Sequence, residues 1–90
     1  MLYKSESNSI ELLGKEGQKL AEVTFPSISK NVVEINHVFV DDSLRGQAIA
    51  EHLMDAATAQ IRSEKKKARF TSSFAKKWFN SHKECSDILE

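Results

Sequence analysis

Apolar and polar positions alternate through the first part of the chain. Ser9-Ile10-Glu11-Leu12-Leu13 is apolar at every second position, and Gly14-Lys15-Glu16-Gly17 then offers a hairpin turn. Lys19 to Phe25 resumes the pattern with Ala21, Val23 and Phe25 on one side and Glu22 and Thr24 on the other. Pro26 cannot donate to a sheet ladder, so it should end that strand. Val32 to Val40 is the strongest strand signal, rich in β-branched and aromatic residues, with Val33, Ile35, His37 and Phe39 expected on one face. Asp41-Asp42-Ser43 breaks it.

From about Gly46 to Lys67 the period becomes helical. Ala50, Leu53, Met54, Ala57 and Ile61 form one apolar stripe, and Lys65, Lys66 and Lys67 fall in the expected last turn, where the helix dipole favours cations. Arg69-Phe70-Thr71 predicts a short strand. Ser72 or Ser73 can cap a second helix with Phe74, Trp78 and Phe79 packing inward, and Ile88-Leu89 can dock as an apolar pair. The order β-β-β-α-β-α predicts an α+β fold: an antiparallel sheet, a right-handed parallel strand–helix–strand crossover from Val40 to Phe70, and a C-terminal helix.

Ninety residues predict one domain over 1–90, burying roughly 60–65% of the unfolded surface. A core this small suits a monomer or a homodimer. Thirteen basic residues balance thirteen acidic ones, so the basic surplus expected of a nucleic-acid binder is missing. The single cysteine, Cys85, excludes an internal disulfide and a cysteine-rich zinc site. The apolar runs are too short for a membrane span and the first residues carry no signal-peptide pattern, which predicts a cytoplasmic protein.

The informative stretch is His37 to Leu53, where a strand leads through a polar loop and a small-residue turn into the amphipathic helix. Backbone N–H groups at such a helix start lack internal partners and carry the positive end of the dipole, which favours an anion. Gly46, Ala48 and Ala50 are small enough for a phosphate to approach the backbone, and Arg45 adds a charged donor. On spacing alone the simpler reading, a surface turn before ordinary helix formers, is favoured.

Arg45-Gly46-Gln47-Ala48-Ile49-Ala50 resembles the pyrophosphate-binding signature of the GNAT superfamily of acyl-CoA-dependent N-acyltransferases, Arg/Gln-x-x-Gly-x-Gly/Ala. The chain is similar to the very small GNAT-like proteins. Their Ile-x-His-x-x-Val strand matches Ile35 to Val40, their Arg-Gly-x-Gly-Ile-Ala turn Arg45 to Ala50, their Thr-Cys strand end Thr71-Ser72, and their aromatic last helix Phe74 to Phe79. The resemblance covers about Ser9 to Leu89. It implies acetyl-CoA as cosubstrate and an amine acceptor. The backbone of Val38, Phe39 and Val40 would pair with the pantetheine arm. The N–H groups of Arg45, Gly46, Gln47, Ala48, Ile49 and Ala50 would hold the pyrophosphate, and Ser72 and Ser73 would flank the thioester. Two positions depart from the pattern. Ala48 replaces a central glycine, at little cost if the position is helical. Ser72 replaces a cysteine with a far weaker nucleophile.

Acetyl transfer to an amine calls for a base with a pKa near neutrality. His37 matches the histidine of the family strand, and the resemblance puts it near the acyl end; the simpler reading is a histidine half-buried between Ile35 and Phe39. His52 reads as a surface residue and His82 as a helix terminus. No histidine pair has metal-ligand spacing, so no metal is expected. Asp41-Asp42 reads as a loop and capping element. Three functions follow. The first is an N-acetyltransferase with catalytic residues His37 and Ser72. The second is a CoA-binding module with little activity, suggested by Ala48, Ser72 and the lack of any counterpart, among the predicted elements, of the N-terminal helices that build the acceptor site in larger GNAT enzymes. The third is a small nucleic-acid or protein-interaction domain using the basic face from Lys65 to Lys77.

Overall fold

The hairpin expected around Gly14 forms as a β-turn closed by the Gly17 N–H donating to the Gly14 carbonyl at 3.0 Å. Gly17 takes φ +82°, which glycine adopts without a Cβ penalty. The computed structural model describes residues 2–44 and 48–90. Its strands are β1 (Leu2–Glu6), β2 (Ser9–Leu13), β3 (Lys19–Thr24), β4 (Ser27–Ser29), β5 (Val32–Ile35), β6 (His37–Val40) and β7 (Lys67–Phe70). Its helices are α1 (Ile49–Ser63) and α2 (Ser73–Ser81), with 3-10 turns at Asp42–Leu44 and Lys83–Ile88.

Two sheets result, an antiparallel one in the order β1-β2-β3-β6 and a mixed one in the order β4-β5-β7. β5 and β7 run parallel, with Ile35 opposite Phe70, so the crossover through α1 is present. The alternation predicted for β2 and β3 is realised: Ile10, Leu12, Ala21, Val23 and Phe25 are buried. Pro26 is exposed beyond the end of β3, and its carbonyl accepts from the Glu34 N–H.

The stretch Val32–Val40 is not one strand. β5 ends at Ile35 and β6 begins at His37. Asn36 donates its N–H to the Thr24 carbonyl, although Thr24 already stands opposite His37. Two residues therefore face one, as in a β-bulge, and the extra residue reverses which side chains point inward. Val33 and Ile35 are buried, but Val38 and Val40 pack on the core beyond the break while His37 and Phe39 are exposed. The shared face expected for Val33, Ile35, His37 and Phe39 does not exist, and His37 is not half-buried between Ile35 and Phe39.

α1 lays Leu53, Met54, Ala57 and Ile61 into the core, with Ala50 half-buried at its start. It stops at Ser63, short of the expected Lys67. Lys65 takes φ +57° and donates its N–H to the Arg62 carbonyl, while the Lys66 N–H reaches the Ile61 carbonyl. That is the Schellman arrangement, with lysine where glycine is usual. Lys67 already belongs to β7. The final segment is fastened by Ile88 in the core and by a two-pronged pair from Arg62 to Asp87 at 2.9 and 3.0 Å.

Candidate functional site

The break at Asn36 opens the site. Before it, β5 is paired with β7; after it, β6 is paired with β3 and not with β7. The chain thus leaves one sheet for the other, and the side of β6 that faces β7 has no strand partner among the described residues. Asp41 donates its N–H to the Leu20 carbonyl at 2.8 Å. By the alternation of an antiparallel ladder, odd-numbered residues of β6 direct their main-chain groups at β3. Val38 and Val40 direct theirs at the open edge.

The opposite wall comes from the start of α1. Ala48 is its N-cap, and its carbonyl accepts from the His52 N–H at 3.1 Å. The N–H groups of Ile49, Ala50 and Glu51 fall in the first turn, whose donors a helix does not itself satisfy, and the Ala48 side chain cannot cap them. These residues and the β6 edge line one open cleft of about 820 Å³, formed by Val38, Phe39, Val40, Leu44, Ala48, Ile49, Ala50, Glu51 and Phe74. A strand edge that can exchange main-chain hydrogen bonds meets a helix start that favours an anion. The arrangement suits an extended ligand with an apolar arm and a phosphate head. Among the described residues, Glu51 is the one ionisable lining residue; it complements the dipole but repels part of an anion's charge.

The turn that leaves β6 is held by Asp41. Its Oδ2 accepts from the Ser43 N–H at 3.0 Å and from the Ser43 hydroxyl at 2.6 Å. Those two bonds, the hydroxyl first, hold the Asp41 carboxyl below its usual pKa. The turn tucks Leu44 inward to form part of the cleft wall. Asp41 thus acts as the loop and capping element expected of it.

Of the residues expected at the site, the cleft brings together Val38, Phe39, Val40, Ala48, Ile49 and Ala50. Arg45, Gly46 and Gln47 lie outside the described residues. Ala48 is not helical: it takes φ 57° and ψ 27°, the left-handed region, so its methyl is not the small change expected for a helical position. Ser72 and Ser73 begin α2 beside Phe74 but do not line the cleft. The Ser72 hydroxyl accepts from the Ala75 N–H at 3.3 Å and serves as the helix cap. His37 stands outside the cleft lining, on the exposed face of the antiparallel sheet. His52 stacks on Tyr3, and His82 ends α2 with its ring on Trp78 and its Nδ1 2.8 Å from the Trp78 carbonyl. Leu44, Glu51 and Phe74 were not expected at the site. Leu44 is the lone apolar residue in a polar loop, and that mismatch is the signal it offered. Among the described residues, no group of three or more His, Cys, Asp or Glu side chains is placed to hold a metal, and no helix is long and apolar enough to cross a membrane.

Comparison with known proteins identifies the fold. The sequence profile of the GCN5-related N-acetyl-transferase family matches residues 9–88, and the chain belongs to that family. A GCN5-like protein from Staphylococcus aureus, solved by NMR, superimposes with a TM-score of 0.82 at 27% identity, covering 99% of this chain and 87% of that one. Tetrahymena GCN5 superimposes at 0.67 with 13% identity over 81% of this chain and 48% of its own. The Mycobacterium tuberculosis protein Rv2747, solved in complex with CoA and a second ligand, gives 0.67 with 16% identity over 84% and 47%. This chain thus spans about half the length of those two. No curated protein sequence matches it. Family and fold together support acyltransferase activity in general.

Proposed function

We propose that this protein transfers an acetyl group from acetyl-CoA to an amine. The observation that carries the proposal is the meeting of the open β6 edge and the uncapped start of α1 in one cleft, in a chain of this family. The residues present fit the cosubstrate. Main-chain groups of Val38 and Val40 would bond the amides of the pantetheine arm, with Leu44 and Phe74 as apolar walls. The first-turn N–H groups of Ile49, Ala50 and Glu51 would take the diphosphate, with Arg45, Gly46, Gln47 and Ala48 completing that corner. When bound, acetyl-CoA supplies the thioester. An arm following β6 back from the diphosphate corner arrives at the break beside Asn36. There His37 would accept the proton of the amine, and Ser73 would close the far side.

A CoA-binding module with little turnover is the second reading. It is favoured by the Ser72 hydroxyl, which is committed to the α2 cap rather than free for chemistry. Titration of acetyl-CoA, followed by the backbone amide resonances of Val38, Val40, Ile49, Ala50 and Glu51, tests the cleft. Shifts concentrated at these five residues are expected, and none at millimolar ligand would overturn both readings. Thiol release with a panel of primary amines separates the two: binding without release leaves the module.

A further inference from the structure

Leu2-Tyr3-Lys4-Ser5-Glu6 forms a strand with one edge open. The sheet runs β1-β2-β3-β6, so β1 is the border opposite the cleft, and its far side meets no strand among the described residues. All five of its residues are exposed, Leu2 at 66% and Tyr3 at 41%. Such an edge is a template for another strand, and proteins usually blunt it with a proline, a bulge or a covering element. β1 holds no proline, and its register against β2 runs without a shift from Leu2 opposite Leu13 to Glu6 opposite Ser9. Its position is fixed from the helix side. Tyr3 stacks on His52 of α1, and Gln60 of α1 donates to the Glu6 and Ser7 carbonyls at 3.0 and 3.1 Å. The main-chain groups that face outward follow from the ladder. The Phe25 N–H donates to the Asn8 carbonyl, and the alternation set by that bond directs the even-numbered residues of β1 at β2. Tyr3 and Ser5 therefore direct their N–H and C=O groups away from the sheet.

We infer that β1 is the interface at which two copies of this chain pair, antiparallel and edge to edge, about a twofold axis at Ser5. The charges choose both the occupant and the register. Lys4 and Glu6 share the outer face on either side of Ser5, with Lys4 Nζ 3.1 Å from a Glu6 carboxylate oxygen. A twofold axis at Ser5 sets Lys4 opposite the partner's Glu6, and Glu6 opposite the partner's Lys4. The pair made within one chain is thus made twice between two. An axis at Lys4 would set that lysine against the partner's Lys4, and like charges directly opposite are destabilising. An axis at Tyr3 would leave Glu6 without a counterpart. The register at Ser5 also suits the main chain: Ser5 and the partner's Ser5 exchange both bonds, and Tyr3 meets the partner's Ser7. Two four-stranded sheets become one of eight. α1 packs chiefly on β2, β3 and β6, so the axis keeps the two helices apart. The clefts lie at the β6 edges and stay open, and the inference stands apart from the acetyl-transfer reading.

Sedimentation equilibrium of the full chain over rising concentration tests the interface. Wild type should pass from the mass of one chain toward that of two with a Kd on the order of 100 µM, since one strand against one strand is less than a standard interface. Ser5→Pro removes the outward N–H at an edge position that tolerates proline, and it should stay monomeric. Lys4→Glu alone and Glu6→Lys alone should each raise Kd about tenfold or more, because two pairs of like charge replace two of opposite charge. An equimolar mixture of those two variants, and a chain carrying both substitutions, should each associate as wild type does. Hydrogen exchange at the Ser5 amide should slow as the wild-type concentration rises. A single-chain mass for wild type at millimolar concentration, a dimer that persists in Ser5→Pro, or single-charge variants that associate as wild type does would overturn the inference. Should Ser5→Pro unfold, the charge variants decide it alone.

Discussion

Replacing Ala48 by glycine should make the protein more stable, although glycine usually weakens a helix. Ala48 takes φ 57° and ψ 27° immediately before α1. An L-residue held in this left-handed region costs roughly 1–2 kcal/mol from the approach of its Cβ to the following carbonyl. The Ala48 side chain is exposed, so no packing is lost with the methyl. Glycine returns about 0.5–1 kcal/mol of that gain through the greater freedom of the unfolded chain. It is also the better N-cap of the two by a few tenths of a kcal/mol or more. The net is about 1 kcal/mol in favour of Ala48→Gly, or a rise in Tm of about 5 °C for a domain of this size. Thermal unfolding followed by circular dichroism measures it directly.

A control two residues away gives the opposite sign. Ala50 lies inside α1, so Ala50→Gly should cost about 0.5–1 kcal/mol. The Ala48 methyl also lines the cleft, and its removal should leave the acetyl-CoA Kd unchanged or tighten it. A fall in Tm for Ala48→Gly, or equal losses at both positions, would show that the corner is not left-handed. The argument for a main-chain anion site at that turn would then lose its geometry.

Lys65→Gly should likewise stabilise the protein, by about 0.5–1 kcal/mol in urea unfolding, because Lys65 closes α1 at φ +57°. Ser72→Ala should cost about 1 kcal/mol of stability through the lost cap yet leave the rate of thiol release from folded protein unchanged; a rate that vanishes would give the hydroxyl a chemical role. Asp87→Asn should destabilise at neutral pH and cease to matter in acid. The Arg62 guanidinium holds the Asp87 carboxyl below its usual pKa, so its contribution is complete above the ordinary value of about 3.9 and is lost as pH falls through the depressed one. The gap in urea midpoint between the two proteins should therefore narrow as pH falls below the ordinary carboxylate value.

What was legible in the sequence is what local physics decides. Alternation placed β2 and β3 and named their inward residues, the apolar stripe placed α1, and a serine before an aromatic run marked the α2 cap. Each of those patterns meets its partner within one element or one tight turn. β1 gave no such sign, because all five of its residues are exposed and main-chain pairing to β2 holds it in place. The stop of α1 was hidden for a related reason: Lys65 satisfies the Schellman bonds with its backbone, and its side chain carries no trace of that role. Phe74 read as core, since helical spacing cannot tell a wall of a cleft from a wall of the interior.

The break at Asn36 is the feature sequence could least reveal, and the site depends on it. Val32, Val33, Ile35, Val38, Phe39 and Val40 favour extended backbone, and Asn36, a residue depleted in strands, is a single polar position that does not by itself tell a bulge from an exposed place in a continuous strand. The break arises from competing partners. Ile35 is claimed by Phe70 across the parallel pair and His37 by Thr24 across the antiparallel one. A continuous strand would keep its neighbours on both sides to the end. One inserted residue lets the strand change sheets, leaves the Val38 and Val40 main-chain groups without a strand partner among the described residues, and turns His37 outward toward Glu22. The unpaired edge, the cleft beside it and the exposed histidine are three consequences of one register change. A variant that shortens Val32–Val40 by deleting Asn36 should therefore lose all three together, whatever it does to stability.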